Sequence, residues 1–523
     1  MNEDMNLTCD GINEGFSFKP KAVYSDKDRK TALFVWIAAA LFAHFVLWHT
    51  TGFITTLYFI LIITASVFIL KKNGCSFSKG QKIWTGVLYV FSLVFSITAD
   101  TTAKGLTVAF LMTGGAYLVH CVSGGTELFR DYSPFDIKNS VLNNPFSCLG
   151  KIFPASISGE KKKGLKNAIY VMAGLLLAVP LTIVVGSLLM SADEGVERIL
   201  SGVAEYIYNG DYTQIVWESI LTLLGAMYLY GLFYSHTHDD FIIKADDDRC
   251  EAVCNNFRKM NNIIVYTTVT PICILYIIFF ISQAAYFLSA FSGNLPAEYS
   301  YAEYARKGFF ELSGIEAINA VVIFLMNFTA KNSGKNKSMG LKAYTIVISV
   351  FTLIITATAL SKMVLYINEY GLTRLRLDTS WFMILTAFIF VLVIIKQFDD
   401  RLCFVKLSAI IFTFMFGVLC FGRFDSVIAK YNLTYKADTI SYRDIEQMAE
   451  ISADSAAVVS SPEYREFIRN KIQKEKGWVH NEDYYIYSDN GNLDCILDDH
   501  IGYDIYRKMN ISSLTVMNNL NRR

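Results

Sequence analysis

The chain has 523 residues, of which 53% are hydrophobic and 18% charged, and its formal net charge at pH 7 is zero. This composition is too apolar for an ordinary soluble protein, and the lack of a basic excess argues against a nucleic-acid partner. The ten cysteines are scattered, with no spacing typical of a zinc site or a disulfide framework. Composition therefore predicts a membrane protein whose partner is the lipid bilayer, with no metal and no other cofactor.

Apolar segments long enough to cross a bilayer recur along most of the chain. A hydrocarbon core about 30 Å thick needs about 20 apolar residues in a helix. The predicted segments are 31–49, 52–70, 83–99, 105–121, 168–190, 214–235, 263–290, 309–329, 343–367, 379–395 and 404–421. We therefore predict an all-α polytopic membrane protein with about 11 transmembrane helices.

Basic residues alternate between successive loops and so predict the orientation. With the N-terminus inside, 27 lysines and arginines lie on the inner segments and six on the outer ones. Cytoplasmic loops carry the basic excess. The prediction is a cytoplasmic N-terminal tail, 1–30, a transmembrane domain, 31–421, and a small extracytoplasmic C-terminal domain of α or α+β type, 422–523. The polar tail does not resemble a cleavable signal peptide, so the first helix is expected to remain as an anchor.

Three ionisable residues fall inside predicted membrane segments, where charge is costly and commonly functional. They are Glu218, Glu316 and Lys362, and the predicted membrane topology places all three in the outer third of the bilayer. Glu316, Asn319 and Asn327 fall within about 80° of helical arc at about 100° per residue. This spacing predicts one polar stripe that faces the helix bundle rather than lipid.

More charges are predicted at the outer ends of these helices. Arg306 and Glu311 lie at the entry to the eighth segment, and Arg374 and Arg376 lie in the loop after the ninth. One hypothesis is an outward-facing charged chamber that binds a small polar ligand, an ion or a lipid. The alternative, which we favour, is that these charges reach the interface and pair with one another to hold the helices together.

The candidate binding residues are Glu218, Arg306, Glu311, Glu316, Asn319, Lys362, Arg374 and Arg376. No residue is assigned a catalytic or metal-binding role. The histidines and acids of residues 236–240 (HTHDD) lack the helical i, i+4 spacing of a metallohydrolase site. A solvated acidic loop is the favoured interpretation of that stretch.

Two stretches carry a family resemblance. They are residues 304–312 (YARKGFFEL) with Ile318-Asn319, and residues 370–376 (YGLTRLR) with Trp381-Phe382. A weaker third match is residues 424–432 (FDSVIAKYN) with Asp438 and residues 452–456 (SADSA). In these stretches the chain resembles bacterial membrane proteins of the domain-of-unknown-function families 4153 and 4173. The resemblance implies a bacterial cell (inner) membrane location and brings no established functional residues.

The sequence leaves the activity open. A non-enzymatic role is favoured, and within it ligand or ion transport and envelope sensing both remain possible interpretations of a charged chamber. A membrane-embedded enzyme acting on a lipid-linked or cell-wall substrate is the alternative. It depends on whether Arg306, Glu311 and Glu316 converge on an open cleft or close into a paired cluster.

Overall fold

The computed structural model describes residues 24–48, 51–157, 188–199, 212–238, 242–292, 309–331, 337–476, 496–497 and 509–521, with isolated positions elsewhere between 171 and 201. Over these residues the protein is helical and contains no strand. The single β-type contact in this part of the chain is an isolated parallel bridge between Met260 and Ala330. The prediction of an all-α fold is confirmed at this level.

In the part of the chain that the structure describes, ten helices with defined bounds lie before residue 258. They are α1 Asp26–Phe42, α2 Phe53–Lys72, α3 Lys79–Ser92, α4 Val94–Ile97, α5 Thr101–Gly124, α6 Ser133–Lys138, α7 Asn144–Ser147, α8 Ile152–Ile157, α9 Tyr212–Thr237 and α10 Asp247–Phe257. A π-helical turn, Ala43–Trp48, continues α1.

Ten further helices complete the described chain. They are α11 Asn262–Ser292, α12 Phe309–Thr329, α13 Met339–Tyr370, α14 Arg374–Phe398, α15 Phe404–Phe421, α16 Phe424–Tyr435, α17 Tyr442–Ile451, α18 Ala453–Val459, α19 Pro462–Lys476 and α20 Ile511–Asn521.

Nine helical stretches in the described chain are long and apolar enough to cross a membrane. They are Asp26–Trp48, Phe53–Lys72, Lys79–Ile97, Thr101–Gly124, Asn262–Ile281, Leu312–Thr329, Met339–Tyr370, Arg374–Phe398 and Phe404–Phe421. Each coincides with one predicted segment. The predicted segment 214–235 is helix α9 but is not among the nine, and 168–190 lies largely outside the described residues. The count of eleven therefore remains a prediction.

The chain divides into two compact units. The first comprises residues 1–40 and 144–242, and in it α9 packs against α7 and the Leu149–Lys151 turn. Gly231 makes this approach possible, because a Cβ there would lie 2.3 Å from the carbonyl oxygen of Pro145. Any larger residue would force the two helices apart.

The second unit comprises residues 41–143 and 243–523, and its membrane helices have two distinct ends. At one end, which we call the Arg374 end, Arg374 at the start of α14 pairs with Asp100 at the start of α5. Lys104 of α5 donates to the Thr51 carbonyl just before α2, at 2.5 Å. The beginnings of α2, α5 and α14 therefore lie together.

At the opposite end, which we call the Lys337 end, the other helix termini meet. Lys337, just before α13, hydrogen-bonds Gln397 near the end of α14. The Met260 amide, just before α11, donates to the Thr329 carbonyl at the end of α12, at 3.0 Å. Consecutive helices of this group therefore run in opposite directions, as multi-pass topology requires.

Residues 424–521 have an apolar core of their own where they are described. It includes Tyr442, Ile445, Ile468, Leu497 and Val516, all at most 8% exposed. Helix α17 begins at a capping box in which Ser441 accepts from the Asp444 amide and the Asp444 carboxylate accepts from the Ser441 amide. This region belongs to the same unit as the neighbouring membrane helices, and the boundary at residue 422 remains a prediction.

Candidate functional site

A network of charged side chains lies at the Arg374 end, and we call it the Arg374 cluster. Its members are Asp100, Lys104, Arg374, Asp378, Arg423, Asp425 and Asp454. It joins the starts of α5 and α14 to the helices that follow α15. The sequence selected only Arg374 from this set.

Arg374 is surrounded by three carboxylates. Its Nε lies 2.8 Å from an oxygen of Asp378, and Nη1 lies 2.5 Å from Asp100 and 3.1 Å from Asp425. Asp100 also caps α5, because its second oxygen accepts from the Thr102 amide at 2.9 Å. The guanidinium therefore links three helices, and its bonds are directed to the protein itself.

A second carboxylate of the cluster, Asp454, is completely buried. It accepts from the Thr98 hydroxyl at 2.5 Å, the Ala99 amide at 2.7 Å, Arg423 Nε at 2.9 Å and the Ser512 hydroxyl. Arg423 has a positive φ of 46°, an uncommon backbone conformation outside glycine, and its side chain donates to Asp454 and to the Ser512 hydroxyl. Helices α18 and α20 are thus tied to the α4–α5 turn.

The surroundings of Asp425 disfavour its ionisation. Burial raises its pKa, and a hydrogen bond from the Ser452 hydroxyl at 2.7 Å and the charge of Arg374 oppose that effect only in part. The described cluster holds four carboxylates and three basic groups. Protonation of Asp425 would balance these charges, which agrees with the direction of its pKa.

Two of the stretches that carry the family resemblance meet at this cluster. Asn432 of α16 accepts from the Leu372 amide and donates to the Leu372 carbonyl, both at 2.8 Å. The Ser426 hydroxyl donates to the Asp454 carbonyl at 2.6 Å. Residues 370–376, 424–432 and 452–456 therefore form one contiguous structure. The 304–312 stretch lies almost wholly outside the described residues.

A second polar feature runs through the membrane helices α11–α14, and we call it the polar column. Its members are Glu316, Thr386, Thr356, Asn319, Thr352, Tyr276, Ser349, Thr345, Asn327, Gln397 and Lys337. Most are hydroxyl or amide groups, and Glu316 is its one acid.

Glu316 is 3% exposed and hydrogen-bonds Thr386 of α14 and Thr356 of α13. Thr386 is the thirteenth of the 25 residues of α14, about 18 Å from its start at about 1.5 Å per residue. Glu316 therefore lies near the middle of the bundle, deeper than the outer third of the bilayer in which the predicted topology placed it. That prediction measured the depth of Glu316 from the start of its own helix, whereas its bonding partners lie near the middle of two longer helices.

No ion pair among the described residues includes Glu316. A carboxylate without a counter-ion is expensive in a low-dielectric interior, so such a group takes up a proton or a cation. The Thr386 hydroxyl has one proton, and it lies within bonding distance of Glu316 and of the Phe382 carbonyl. It can donate to a charged Glu316, or accept from a protonated one while donating to the carbonyl.

Below Glu316 the column continues toward the Lys337 end. The Asn319 amide donates to the Thr352 hydroxyl at 2.9 Å, and Asn319 accepts from Tyr276 at 2.5 Å. Asn327 lies 3.4 Å from the Thr345 hydroxyl. Glu316, Asn319 and Asn327 thus all face α13, as the predicted stripe requires.

Helix α13 supplies the hydroxyl face of the column. Thr345, Ser349, Thr352 and Thr356 follow one another at intervals of three or four residues and are at most 1% exposed. Side chains so spaced are about 5–6 Å apart on one helix face. Each hydroxyl donates to the carbonyl four residues earlier. At this spacing the hydroxyls do not bond one another directly, so a hydrogen-bonded chain along the row requires one water molecule in each interval.

The column is closed by apolar side chains on the side of Glu316 that faces the Arg374 end. Leu312, Ile355, Ala359, Met363 and Met383 form a buried cluster there, each at most 5% exposed. Two of these residues are close in sequence to the threonines that bond Glu316: Ile355 precedes Thr356, and Met383 lies three residues before Thr386. Apolar side chains therefore separate Glu316 from the Arg374 end, whereas the other polar side chains of the column lie on its Lys337 side.

The remaining predicted site residues lie elsewhere. Arg376 stacks on the Tyr366 ring, with Cζ 4.0 Å from its centroid, and donates to the Gly371 and Tyr370 carbonyls. Lys362 is half-buried on α13. Glu218 accepts from Gln214 at 2.6 Å, one turn away on α9. Arg306 and the side chain of Glu311 lie outside the described residues.

Two sequence expectations need correction. Arg374 and Arg376 were placed in a loop, yet helix α14 begins at Arg374. Hydropathy marks only the apolar part of a helix, whereas ion pairs to Asp100 and Asp378 extend α14 by a polar turn. His236 was placed in a solvated loop, but it ends α9, is 6% exposed and hydrogen-bonds the Leu232 carbonyl.

The sequence missed most members of both features, although signals for them were present. Asp425 and Asp454 stand in the weaker resemblance stretch and were passed over because they lie outside the membrane segments. The spacing of Thr345, Thr352 and Thr356 on one helical face was also readable. Thr386 was not, because nothing in its own helix marks it as the partner of Glu316.

The described residues contain no group of three or more histidine, cysteine, aspartate or glutamate side chains placed to hold a metal ion. What they do contain is nine apolar helices with polar contacts buried between them, which defines an integral, multi-pass membrane protein. The chain belongs to the family described as domain of unknown function DUF4153, whose profile matches residues 36–461. The comparisons with curated proteins and with solved structures find no match.

The family match confirms the resemblance drawn from residues 304–312, 370–376 and 424–456. It spans the whole polar column and the Arg374 cluster up to Asp454. Ser512 of α20, which bonds Asp454, lies beyond it. The family description names no activity, so function has to be argued from the two polar features.

Proposed function

We propose that this protein moves protons across the membrane through the polar column, with Glu316 as the carrier. The main observation in support of this proposal is that the Glu316 carboxylate lies near the middle of the bundle and has no ion-pair partner among the described residues. Ionisable groups in such positions mark ion pathways and proton relays in membrane proteins. The proposal narrows the broader expectation of ion or ligand transport to one ion.

The hydroxyl row of α13 supplies the route to Glu316. A proton entering at the Lys337 end passes in turn to column oxygens and to water molecules between them. At each step the oxygen that gains a proton gives up another, so each O–H bond broken is replaced by one formed. The last transfer forms an O–H bond on Glu316. Release toward the Arg374 end requires the apolar cluster around Ile355 and Met383 to rearrange.

The orientation follows from the distribution of basic residues. Their excess in alternate loops predicts that the Lys337 end faces the cytoplasm and the Arg374 end faces outward. The multi-pass arrangement supports this assignment, because loops of equal predicted sidedness share one end of the second unit. In this state Glu316 then exchanges protons with the cytoplasm.

The test is proton flux in liposomes that contain the purified protein. A potassium diffusion potential provides the driving force, and a trapped pH-sensitive dye reports internal pH. We expect wild-type flux well above that of empty liposomes, and Glu316→Gln to reduce it to that background. Glu218→Gln is the matched control, a glutamate of the predicted membrane segment 214–235 that lies outside the column, and should match the wild type.

A chemical readout complements the flux. Hydrophobic carbodiimides react with protonated carboxyl groups in membranes, so Glu316 should be modified, and modification should decline as pH rises. The proposal is wrong if wild-type liposomes leak no faster than empty ones, or if Glu316→Gln conducts like the wild type.

Envelope sensing is the second candidate, and the Arg374 cluster favours it. Asp425 and Asp454, which belong to the region after residue 421, bond directly to the starts of α5 and α14. A ligand that displaced α18 would therefore move the membrane helices. If this role dominates, Asp454→Asn should change the trypsin cleavage pattern of loops at the Lys337 end, whereas Glu316→Gln should not.

The enzymatic alternative stays a prediction. Its discriminating feature was the relation of Arg306 and Glu311 to Glu316, and those two side chains lie outside the described residues. Of the three, only Glu316 has described contacts, and they are with threonine hydroxyls rather than with an arginine.

A further inference from the structure

One basic side chain occupies the end of the polar column. Lys337 precedes α13, and its ammonium lies 3.4 Å from the Thr345 hydroxyl, two helical turns further on. The same ammonium donates to the Gln397 side-chain oxygen. The lysine therefore folds back over the first turns of its own helix and reaches into the column.

Gln397 is oriented for this contact. Its amide nitrogen donates to the Val393 carbonyl at 2.7 Å, one turn earlier on α14, which points its oxygen toward Lys337. Thr345 also lies 3.4 Å from the Asn327 amide. Lys337 thus meets the column where residues of α12, α13 and α14 converge.

We propose that Lys337 gates the polar column, its ammonium interrupting the proton pathway and its neutral amine completing it. This inference rests on the proposed function. An ammonium has three donors and no acceptor, so it cannot take up a proton from water at the Lys337 end, and its charge repels an incoming one. A neutral amine has a lone pair that accepts a proton. The proton that leaves the ammonium passes to water at the Lys337 end.

The surroundings of Lys337 place its titration near neutral pH. Burial lowers the pKa of Lys337 to about 8; the like charge of Lys342 lowers it further, and Asp400 opposes the shift. Lys342 and Asp400, which pair at 3.5 Å, are the charged groups that act on it from α13 and from the turn after α14. The lysine is charged below this pH and neutral above it, so the gate opens as cytoplasmic pH rises.

The experiment measures potential-driven proton flux with equal pH on both sides, between pH 7 and pH 9. A group with a pKa near 8 changes its neutral fraction about tenfold over this range. The proton concentration itself falls over this range, so each wild-type flux is divided by that of Lys337→Met, which has neither the charge nor the amine lone pair, at the same pH. This ratio should rise about tenfold from pH 7 to pH 9.

Lys337→Arg tests the same gate without loss of charge. A guanidinium remains protonated throughout this range, so this variant should stay closed at pH 9. It decides the question even if the methionine variant does not fold. Lys396→Met is the matched control, a lysine beside Gln397 that donates to the Asp400 and Leu402 carbonyls, and should keep the wild-type profile.

Amine acylation followed by mass spectrometry gives a readout independent of transport. The reaction of Lys337 should reach half its maximum near pH 8 in the folded protein and at a higher pH in the denatured chain. If flux depends on Glu316 but both Lys337 variants follow the wild-type pH profile, the gate is wrong and the pathway stands. If no flux depends on Glu316, both proposals fail together.

Discussion

The Arg374 cluster and the polar column lie in the same unit of the protein and treat charge in opposite ways. In the cluster every carboxylate meets a basic group or several donors, and Arg374 alone contacts three acids. In the column Glu316 meets only hydroxyl groups. Paired charges hold helices together and are costly to disturb, whereas an isolated acid is costly to keep and has to be retained for some other reason.

This difference separates the two hypotheses raised by the sequence. Arg374, one of the candidate binding residues, fits the hypothesis that the charges pair with one another to hold the helices together. Glu316 does not fit it, because it pairs with no charged group among the described residues. Substitutions that remove one charge from each feature should therefore differ sharply in their effects on folding.

Arg374→Met should have the largest effect on stability. It leaves Asp100, Asp378 and Asp425 without their shared counter-ion, and breaking a buried pair costs about 3–5 kcal/mol. We expect poor accumulation in the membrane and a lower melting temperature in detergent. Arg376→Met is the matched control. It removes one cation–π contact and two hydrogen bonds to backbone carbonyls but no described ion pair, so it should cost about 2 kcal/mol. Equal losses for both arginines would remove the distinction that defines the cluster.

Gly371→Ala should have the next largest effect. Gly371 has a φ of 79°, and an added Cβ would lie 2.6 Å from the side-chain oxygen of Asn432. The strained backbone and the displaced Asn432 together should cost about 1–3 kcal/mol, measured as a melting-temperature loss. Gly314→Ala, on α12 with nothing within 4 Å, is the control and should stay near the wild type. An unchanged melting temperature for Gly371→Ala would mean that the contact between Gly371 and Asn432 of α16 does not stabilise the fold.

Asp425→Asn should have a small effect that depends on pH. Because the folded-state pKa of Asp425 is raised, its stabilising contribution is present below the ordinary aspartate pKa and is lost as pH rises through the raised value. The asparagine, which mimics the protonated acid, should melt at the wild-type temperature near pH 4 and at or above it at pH 7. A variant that is less stable at pH 7 than at pH 4, relative to wild type, would show that the Arg374 pair outweighs burial.

Glu316→Gln should change stability least while removing proton flux. The glutamine retains an oxygen for the Thr386 hydroxyl and takes an uncompensated acid out of the interior. Its melting temperature in detergent should equal or exceed that of the wild type. A loss comparable to that of Arg374→Met would place Glu316 among the structural charges, and the contrast between the two regions would disappear.

Several features of the architecture follow from local properties of the chain. Long apolar runs cannot be solvated by water, so ten of the predicted segments are recovered as helices within a few residues of their predicted bounds, and nine of these are long and apolar enough to cross a membrane. The facing of Glu316 and Asn319 toward one side also follows from helical periodicity alone. The resemblance stretches identified the family for the same reason, since they are contiguous in sequence.

Only the tertiary structure could decide what these residues contact. Asp100 and Arg374 are separated by 274 positions, and Thr98 and Asp454 by 356. No periodicity links such residues, because their pairing depends on how helices pack rather than on the character of either segment. The depth of Glu316 is set in the same way, by Thr356 and Thr386 on two other helices. The sequence thus determined that the chain crosses the membrane many times and carries rare internal charges, whereas packing decided which of the described charges meet an opposite charge and which lie among uncharged groups.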